Sequence, residues 1–431
     1  MLMHGVPPPE PARVTLGNWQ EPPYNRWSFS HLREVVPTQR ISRGSGPVWP
    51  LEVDHQPLGD VPVHLVDDRD GNVEDVLANT YTDAIVVLHR GKVVLERYLG
   101  ETKTDTPHLV MSISKSIVGC VVANLEVRGE LDTDRKVTDF IPELVATGYD
   151  GATVRDLLDM RSGVKFNEDY TDRNADVRVI EQAMGWRPIS HDQDVRHGMY
   201  AYLTTLKDRE EHGGAFNYRS CETDVLGWVC ERAAGTRMAD LISELIWSPL
   251  GARFDAEITC DFIGTAIHDG GVCATAQDVA RFGAMLLAGG SANDHQVVPN
   301  AWLERSWKVD PDIRAAFRSS ASEPYLPGGW YRNQFWFVPR DHGDVLLCLG
   351  INGQMVYVNR GTHIVGVKLS SWPTAQSPTM LHDTLRMFDA MGAVLADLPL
   401  HQERYGVPGL KLPGVATGSA RARPARNGTD Q

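Results

Sequence analysis

Apolar residues recur at intervals of three and four in Ile113 to Val127, Val154 to Met160, Val225 to Ala233, Met238 to Ile246 and Ala276 to Leu287. This spacing predicts helices through the middle of the chain. Gly129, Gly163, Gly235 and Gly289 stand just beyond four of these runs, where a left-handed residue can close a helix. Short β-branched runs lie on either side. Ala84 to Leu88 and Lys92 to Glu96 are parted by His89-Arg90-Gly91, the pattern of a hairpin with a tight glycine turn. Val345 to Leu349, Met355 to Val358 and His363 to Leu369 are parted by Gly350-Ile351-Asn352-Gly353 and Asn359-Arg360-Gly361. Strands at both ends of a helical middle predict an α+β fold, with one antiparallel sheet assembled from N- and C-terminal segments. The division that follows is an α/β domain over 27–135 and 335–400, interrupted by a mostly helical domain over 136–334. Residues 1–26 and 401–431, rich in Pro, Gly and polar groups and without periodicity, read as flexible ends.

Composition narrows the function. A chain of 431 residues that is 42% hydrophobic and 23% charged can bury a core without disulfides or a structural metal. Its formal charge of −14 argues against nucleic acid as a partner. The six cysteines form no C-x-x-C pair, so they read as small buried hydrophobes. No stretch of about 18 apolar residues and no apolar segment behind basic residues occurs, which reads as a soluble, cytoplasmic protein without a membrane partner. There is no Walker A, G-x-G-x-x-G, H-E-x-x-H or G-x-S-x-G pattern. His191-Asp192-Gln193-Asp194 with His197 has metal-ligand residue types but no ligand spacing, and reads as a solvated loop. Neither metal nor cofactor is expected.

Three short motifs carry chemistry. Ser112-Ile113-Ser114-Lys115 is an S-x-x-K tetrapeptide opening an apolar-striped helix, and a three-residue offset puts both side chains on one face. An amine there could take the serine proton if burial or nearby positive charge lowers its pKa. Alone, the pair reads first as a helix N-terminus with an exposed lysine. A second match, Ser162-Gly163-Val164-Lys165, is interrupted by a helix-breaking glycine. Tyr218-Arg219-Ser220 is a Y-x-S tripeptide before a helix, from which a phenol could shuttle a proton. Tyr331-Arg332-Asn333 and Tyr357-Val358-Asn359 also fit Y-x-[SN], but they lie in strand-like stretches where a tyrosine usually packs. Finally, the glycines of Leu349-Gly350-Ile351-Asn352-Gly353-Gln354 would let a ligand approach the backbone, or simply turn the chain between two strands.

S-x-x-K, then Y-x-S about a hundred residues on, then a glycine-bearing strand near the C-terminus resembles the serine β-lactamase and penicillin-recognising superfamily, in its class C and esterase branch. Within it the chain resembles the 6-aminohexanoate-dimer hydrolase family of nylon-oligomer amidases. Trp19-Gln20-Glu21-Pro22-Pro23, Asn25-Arg26-Trp27, Tyr81-Thr82-Asp83-Ala84, Asn167-Glu168-Asp169-Tyr170, Thr223-Asp224-Val225-Leu226 and Val367 to Pro373 carry that likeness. The resemblance implies a β-lactamase-like fold, an acyl-enzyme on Ser112, Lys115 as proton acceptor and Tyr218 as relay to the leaving group. It also implies Tyr170 closing over the scissile amide, and an oxyanion hole from the N–H groups of Ser112 and Ile351. Glu181, Asp269 and Asn352 fall at substrate-contacting positions. Linear amides and short-chain esters are the implied substrates, and a homodimer the implied assembly.

Where β-lactamases carry Lys-Thr-Gly the chain has Cys348-Leu349-Gly350, so the cation that would pair with a β-lactam carboxylate is missing. A D-amino-acid amidase or peptidase, a β-lactamase-like esterase and a non-catalytic penicillin-binding-like module are the other readings of the same motifs. The intact Ser112, Lys115 and Tyr218 favour catalysis.

Overall fold

A computed structural model describes residues 1–190 and 198–400. Its centre is an eight-stranded sheet of β1 (Glu52–Val53), β2 (Thr82–His89), β3 (Lys92–Tyr98), β4 (Trp330–Arg332), β5 (Phe335–Arg340), β6 (Gly343–Gly350), β7 (Gln354–Asn359) and β8 (Ile364–Ser370). The strand order is β4-β5-β6-β7-β8-β2-β3-β1. All pairings are antiparallel except β1 with β3. The two ends of the chain meet at β8 and β2, where Val365 lies opposite Leu88 and Val367 opposite Val86. Arg90 and Gly91 turn the β2–β3 hairpin with φ of 50° and 81°, the left-handed pair that suits the twist of a two-residue loop.

The β2 run Ala84-Ile85-Val86-Val87-Leu88 does not alternate with polar residues because both faces of the sheet are covered. Ala84, Val86 and Leu88 point into one core with Val356, Val365 and Val367. That face is packed by α1 (Ile113–Val127) and α5 (Ala276–Leu287). Ile85 and Val87 point into the other core, with Tyr357, Ile364 and Phe388. There α6 (Pro378–Leu395) lies beside the helix Val73–Asn79. Between β3 and β4 the chain forms the helices α2 (Val154–Leu158), α3 (Asp176–Ala183) and α4 (Ser220–Ala234), as well as α1 and α5. The sequence expectation of an α+β fold, its main sheet shared between N- and C-terminal segments, holds.

A four-stranded sheet, ordered Thr38–Ile41, Ala256–Thr259, Val272–Ala274, His108–Leu109, delivers the chain to α1. His108 pairs with Ala274, and Val110 N–H donates to Val272 O at 2.9 Å. Met111 then takes φ of 50°, so the chain turns sharply and Ser112 becomes the residue that opens α1.

Two features differ from a plain reading of composition. Residues 1–26 include Trp19, only 1% exposed, whose indole N–H donates to Trp186 O at 2.8 Å. Asn25 donates to Trp372 O at 3.0 Å. Two buried anchors tie this proline-rich stretch down, and an average over composition hides them. In turn, α6 supplies Leu385, Met387, Phe388, Ala390 and Met391 to one core, although its amphipathic pattern is not among the helices predicted. All six cysteines are free and buried. Among the described residues no helix is long and apolar enough to cross a membrane.

Gly366 on β8 illustrates how tightly α6 seats, since a Cβ there would lie 2.2 Å from the Phe388 ring. Gly366→Ala is expected to lower stability by about 1–3 kcal/mol through overpacking. Urea unfolding should show a lower midpoint with an unchanged slope.

Candidate active site

Ser112 and Lys115 occupy the first turn of α1, and their offset brings Lys115 Nζ to 2.7 Å from Ser112 Oγ. Lys115 is 1% exposed, so it is no surface lysine. Its ammonium also donates to Ser220 Oγ at 3.1 Å and to Asp269 O at 2.8 Å. Three donors thus meet three acceptors, the full complement of a charged amine. Burial, the largest single influence, pulls the Lys115 pKa down; the surrounding Tyr218, Asp269, Glu168 and Asp224 together outweigh it, and the net direction is up. The lowered amine pKa that general-base action would need is therefore absent in the resting arrangement.

Tyr218 stands two residues before α4, its ring against Trp336 at 4.9 Å between centroids and 5.2 Å from Lys115 Nζ. Burial raises the phenol pKa, while Lys115 and Ser112 beside it pull it back, leaving it raised. Behind this pair lies a carboxylate that sequence reasoning quoted only inside a motif. Glu168 accepts from Ser220 Oγ at 2.5 Å and from Ser220 N–H at 2.7 Å. It also accepts from Tyr170 Oη at 2.8 Å. One half-buried carboxyl group, its pKa raised mainly by desolvation, so links Tyr170 to the serine that Lys115 touches. Ser220 was visible as the third residue of Y-x-S, whereas Glu168 had no local signal beyond its place two residues before Tyr170.

On the other side, Asp269 Oδ2 lies 3.5 Å from Lys115 Nζ, and Asp269 N–H donates to Asp224 Oδ1 at 3.1 Å. Burial, then the charge of Asp269, pushes the Asp224 carboxyl well above the usual range. Asp224 follows Ser220 by four residues on α4, so the helix presents both toward Lys115.

The candidates taken from sequence divide clearly. Ser112, Tyr170, Tyr218 and Ile351 all line one cavity of about 340 Å³. Gly350 makes that possible, because a Cβ there would sit 2.7 Å from Val110 O and 2.9 Å from Met111 Cβ. Only a glycine lets the end of β6 approach the α1 start so closely. Asp269 joins the cluster beneath Lys115 and does not line the cavity. Asn352 turns away, donating to Trp372 O at 2.9 Å and Thr374 O at 3.3 Å. Glu181 is 4% exposed and is held by Arg178 at 2.8 Å and by Arg187 at 2.5 Å. Arg178 in turn donates to Tyr170 O at 2.7 Å, so Glu181 stands two links behind the Tyr170 loop.

The competing motifs have other uses. Ser162 is buried and donates to Glu222 at 2.7 Å, while Lys165 is exposed. Tyr331 reaches Gln334 at 3.3 Å, and Tyr357 donates to Asp389 at 2.8 Å; both are packed in the core. The His191 to His197 stretch lies outside the described residues.

Residues 70–387 match the Beta-lactamase family model. The chain is 38% identical over 359 residues to the 6-aminohexanoate-dimer hydrolase of Paenarthrobacter ureafaciens, covering 83% of this chain and 88% of that protein. It is 30% identical over 174 residues to Esterase EstB of Burkholderia gladioli, covering 39% and 43% of the two chains. A solved chain from Bacillus anthracis, provisionally designated a 6-aminohexanoate-dimer hydrolase, superposes with a TM-score of 0.83 at 27% identity. That superposition covers 91% of this chain and all of that one. With a buried lysine hydrogen-bonded to a serine at the mouth of a cavity, and relatives named a 6-aminohexanoate-dimer hydrolase and an esterase, the chain belongs to the beta-lactamase family and is one of its serine hydrolases.

Proposed function

We propose that the protein hydrolyses linear amides, of the kind found in 6-aminohexanoate oligomers, and short-chain carboxylic esters through an acyl-enzyme on Ser112. What supports this above all is the 2.7 Å bond between Lys115 Nζ and Ser112 Oγ inside a buried polar cluster that opens on a substrate-sized cavity. While Lys115 donates to Ser112 Oγ it cannot also take that oxygen's proton. The base is therefore the Lys115–Tyr218 pair after the pair has lost one proton, and its apparent pKa belongs to both groups.

In that form Ser112 Oγ attacks the carbonyl carbon as its proton passes to the pair. The oxyanion faces the N–H groups of Ser112, at the start of α1, and Ile351, after β6. The C–N or C–O bond then breaks as Tyr218 hands the proton to the departing nitrogen or oxygen. Tyr170, fixed through Glu168, orients the leaving group. Water attacks the acyl-enzyme, gives a proton to the same pair, and the pair returns one to Ser112 Oγ as the acid departs.

Ser112→Ala is expected to cut kcat on p-nitrophenyl acetate and on the 6-aminohexanoate dimer by about 10⁴-fold or more. A fluorophosphonate probe should label the native protein stoichiometrically and the variant not at all. Undiminished turnover of both substrates by the variant would remove Ser112 from the chemistry.

Glu168 supplies the second test. Its negative charge favours the Lys115 ammonium, so removing it eases deprotonation of the pair. Glu168→Gln keeps an oxygen to accept from the Ser220 and Tyr170 hydroxyls but gives up the charge and the acceptor for Ser220 N–H. The rising limb of kcat/KM against pH should move to lower pH by on the order of one unit. A limb that stays in place would show that Glu168 does not set the protonation of the pair.

A further inference from the structure

The cavity at Ser112 has walls of one chemical kind. Among the described residues that line it there is no Asp, Glu, Lys, Arg or His. Trp336, Leu349, Met355 and Leu381 form much of its surface, and the polar side chains present are hydroxyls and amides. Gln354 is spent internally, donating to Ser370 O at 2.6 Å and accepting from Ser370 N–H at 3.1 Å. A charged group brought here would lose water and find no counter-charge, whereas a hydrocarbon chain would lose nothing. At about 30 Å³ per water-sized group, a volume near 340 Å³ holds roughly ten such groups.

The carboxylate that could have drawn an ammonium group is already neutralised. Glu181 is clasped by Arg178 and Arg187, and those guanidinia line the next cleft beyond Tyr170 together with Glu21. Among the described residues that line that cleft the one carboxylate is Glu21, which faces Arg187 at 3.8 Å, so no uncompensated negative charge is offered there to the amino end of a substrate.

We infer that the cavity selects an uncharged linear hydrocarbon chain on one side of the scissile bond, so that esters and amides of non-ionic acyl or alkyl chains outrun their ω-ammonium counterparts. This rests on the acyl-enzyme reading and narrows its substrate class: the 6-aminohexanoate dimer, charged at both ends, is then a slower substrate than neutral esters and amides of the same length. The binding energy of such a chain, realised next to the reacting carbonyl, would appear in kcat/KM.

The experiment compares two matched series at pH 7. In the first, p-nitrophenyl hexanoate, 6-aminohexanoate and hydrogen adipate vary the acyl side; in the second, hexyl and 6-aminohexyl acetate vary the alcohol. The neutral chain is expected to exceed its ammonium partner by at least tenfold in kcat/KM in one series. Equal or faster turnover of the ammonium esters in both series overturns the inference, and so does a carboxylate chain that matches the neutral one. Gln376, an exposed residue on the cavity wall, allows a gain-of-function check. Gln376→Glu should raise the ratio of 6-aminohexanoate to hexanoate turnover at least threefold, and an unchanged ratio counts against the cavity as the selecting surface. Ser112-dependent turnover of p-nitrophenyl acetate separates the two levels. If it persists while the chain preference fails, only the inference falls; if it is absent, the acyl-enzyme reading falls as well.

Discussion

A buried ammonium must be surrounded by acceptors, and most of the site follows from meeting that demand at Lys115. Its three protons reach Ser112 on its own helix, Ser220 at the start of α4 and the backbone of Asp269. Three separate segments are thereby fixed relative to one another by one side chain. The cost of desolvating the charge is offset only because Asp269, Asp224, Glu168 and Tyr218 stand around it. Removing any one partner alters both the geometry and the proton balance of the others. The cluster is in that sense a single unit rather than a set of separable residues.

The parts of the protein legible in the sequence are those governed by short-range periodicity or by offsets within one helix. The α1 and α5 boundaries match the apolar spacing, and the β2–β3 hairpin follows from β-branched runs around Arg90-Gly91. The Ser112–Lys115 contact is fixed by a three-residue offset that only a helix converts into a hydrogen bond. What the sequence could not display is the long-range pairing of charge. Lys115 was expected to need a lowered pKa, and burial does act that way, but the four groups that reverse it come from residues 168, 218, 224 and 269. Glu181 and Asn352 show the same limit from the other side. Each falls at a plausible position along the chain, yet Arg178, Arg187 and the loop at Trp372 have already claimed their polar atoms.

The scaffold and the site constrain each other through close approach. The sheet is buried on both faces, so its strands hold α1 on one side and α6 on the other with little latitude. Gly350 ends β6 against the backbone of Val110, which sets Ile351 opposite the first turn of α1. The left-handed Met111 supplies the complementary bend. Residues in sparsely populated backbone regions persist only where their surroundings over-determine them. Here Leu109 and Val110 are bonded into neighbouring segments immediately before the bend.

The seam between β2 and β8 joins residues 82–89 to 364–370. On the ribosome, β2 and Ser112 emerge long before the strand that completes their sheet. Until residue 370 has been made, Ile85 to Leu88 have no neighbour on that edge and the serine has no finished wall behind it. Such distant partners make closure slow and expose an open strand to wrong partners in the interval. The buried Lys115–Ser112 pair thus stays without the sheet that backs it until residue 370 has been made, and the open edge at Ile85 to Leu88 is the part in need of protection while it waits.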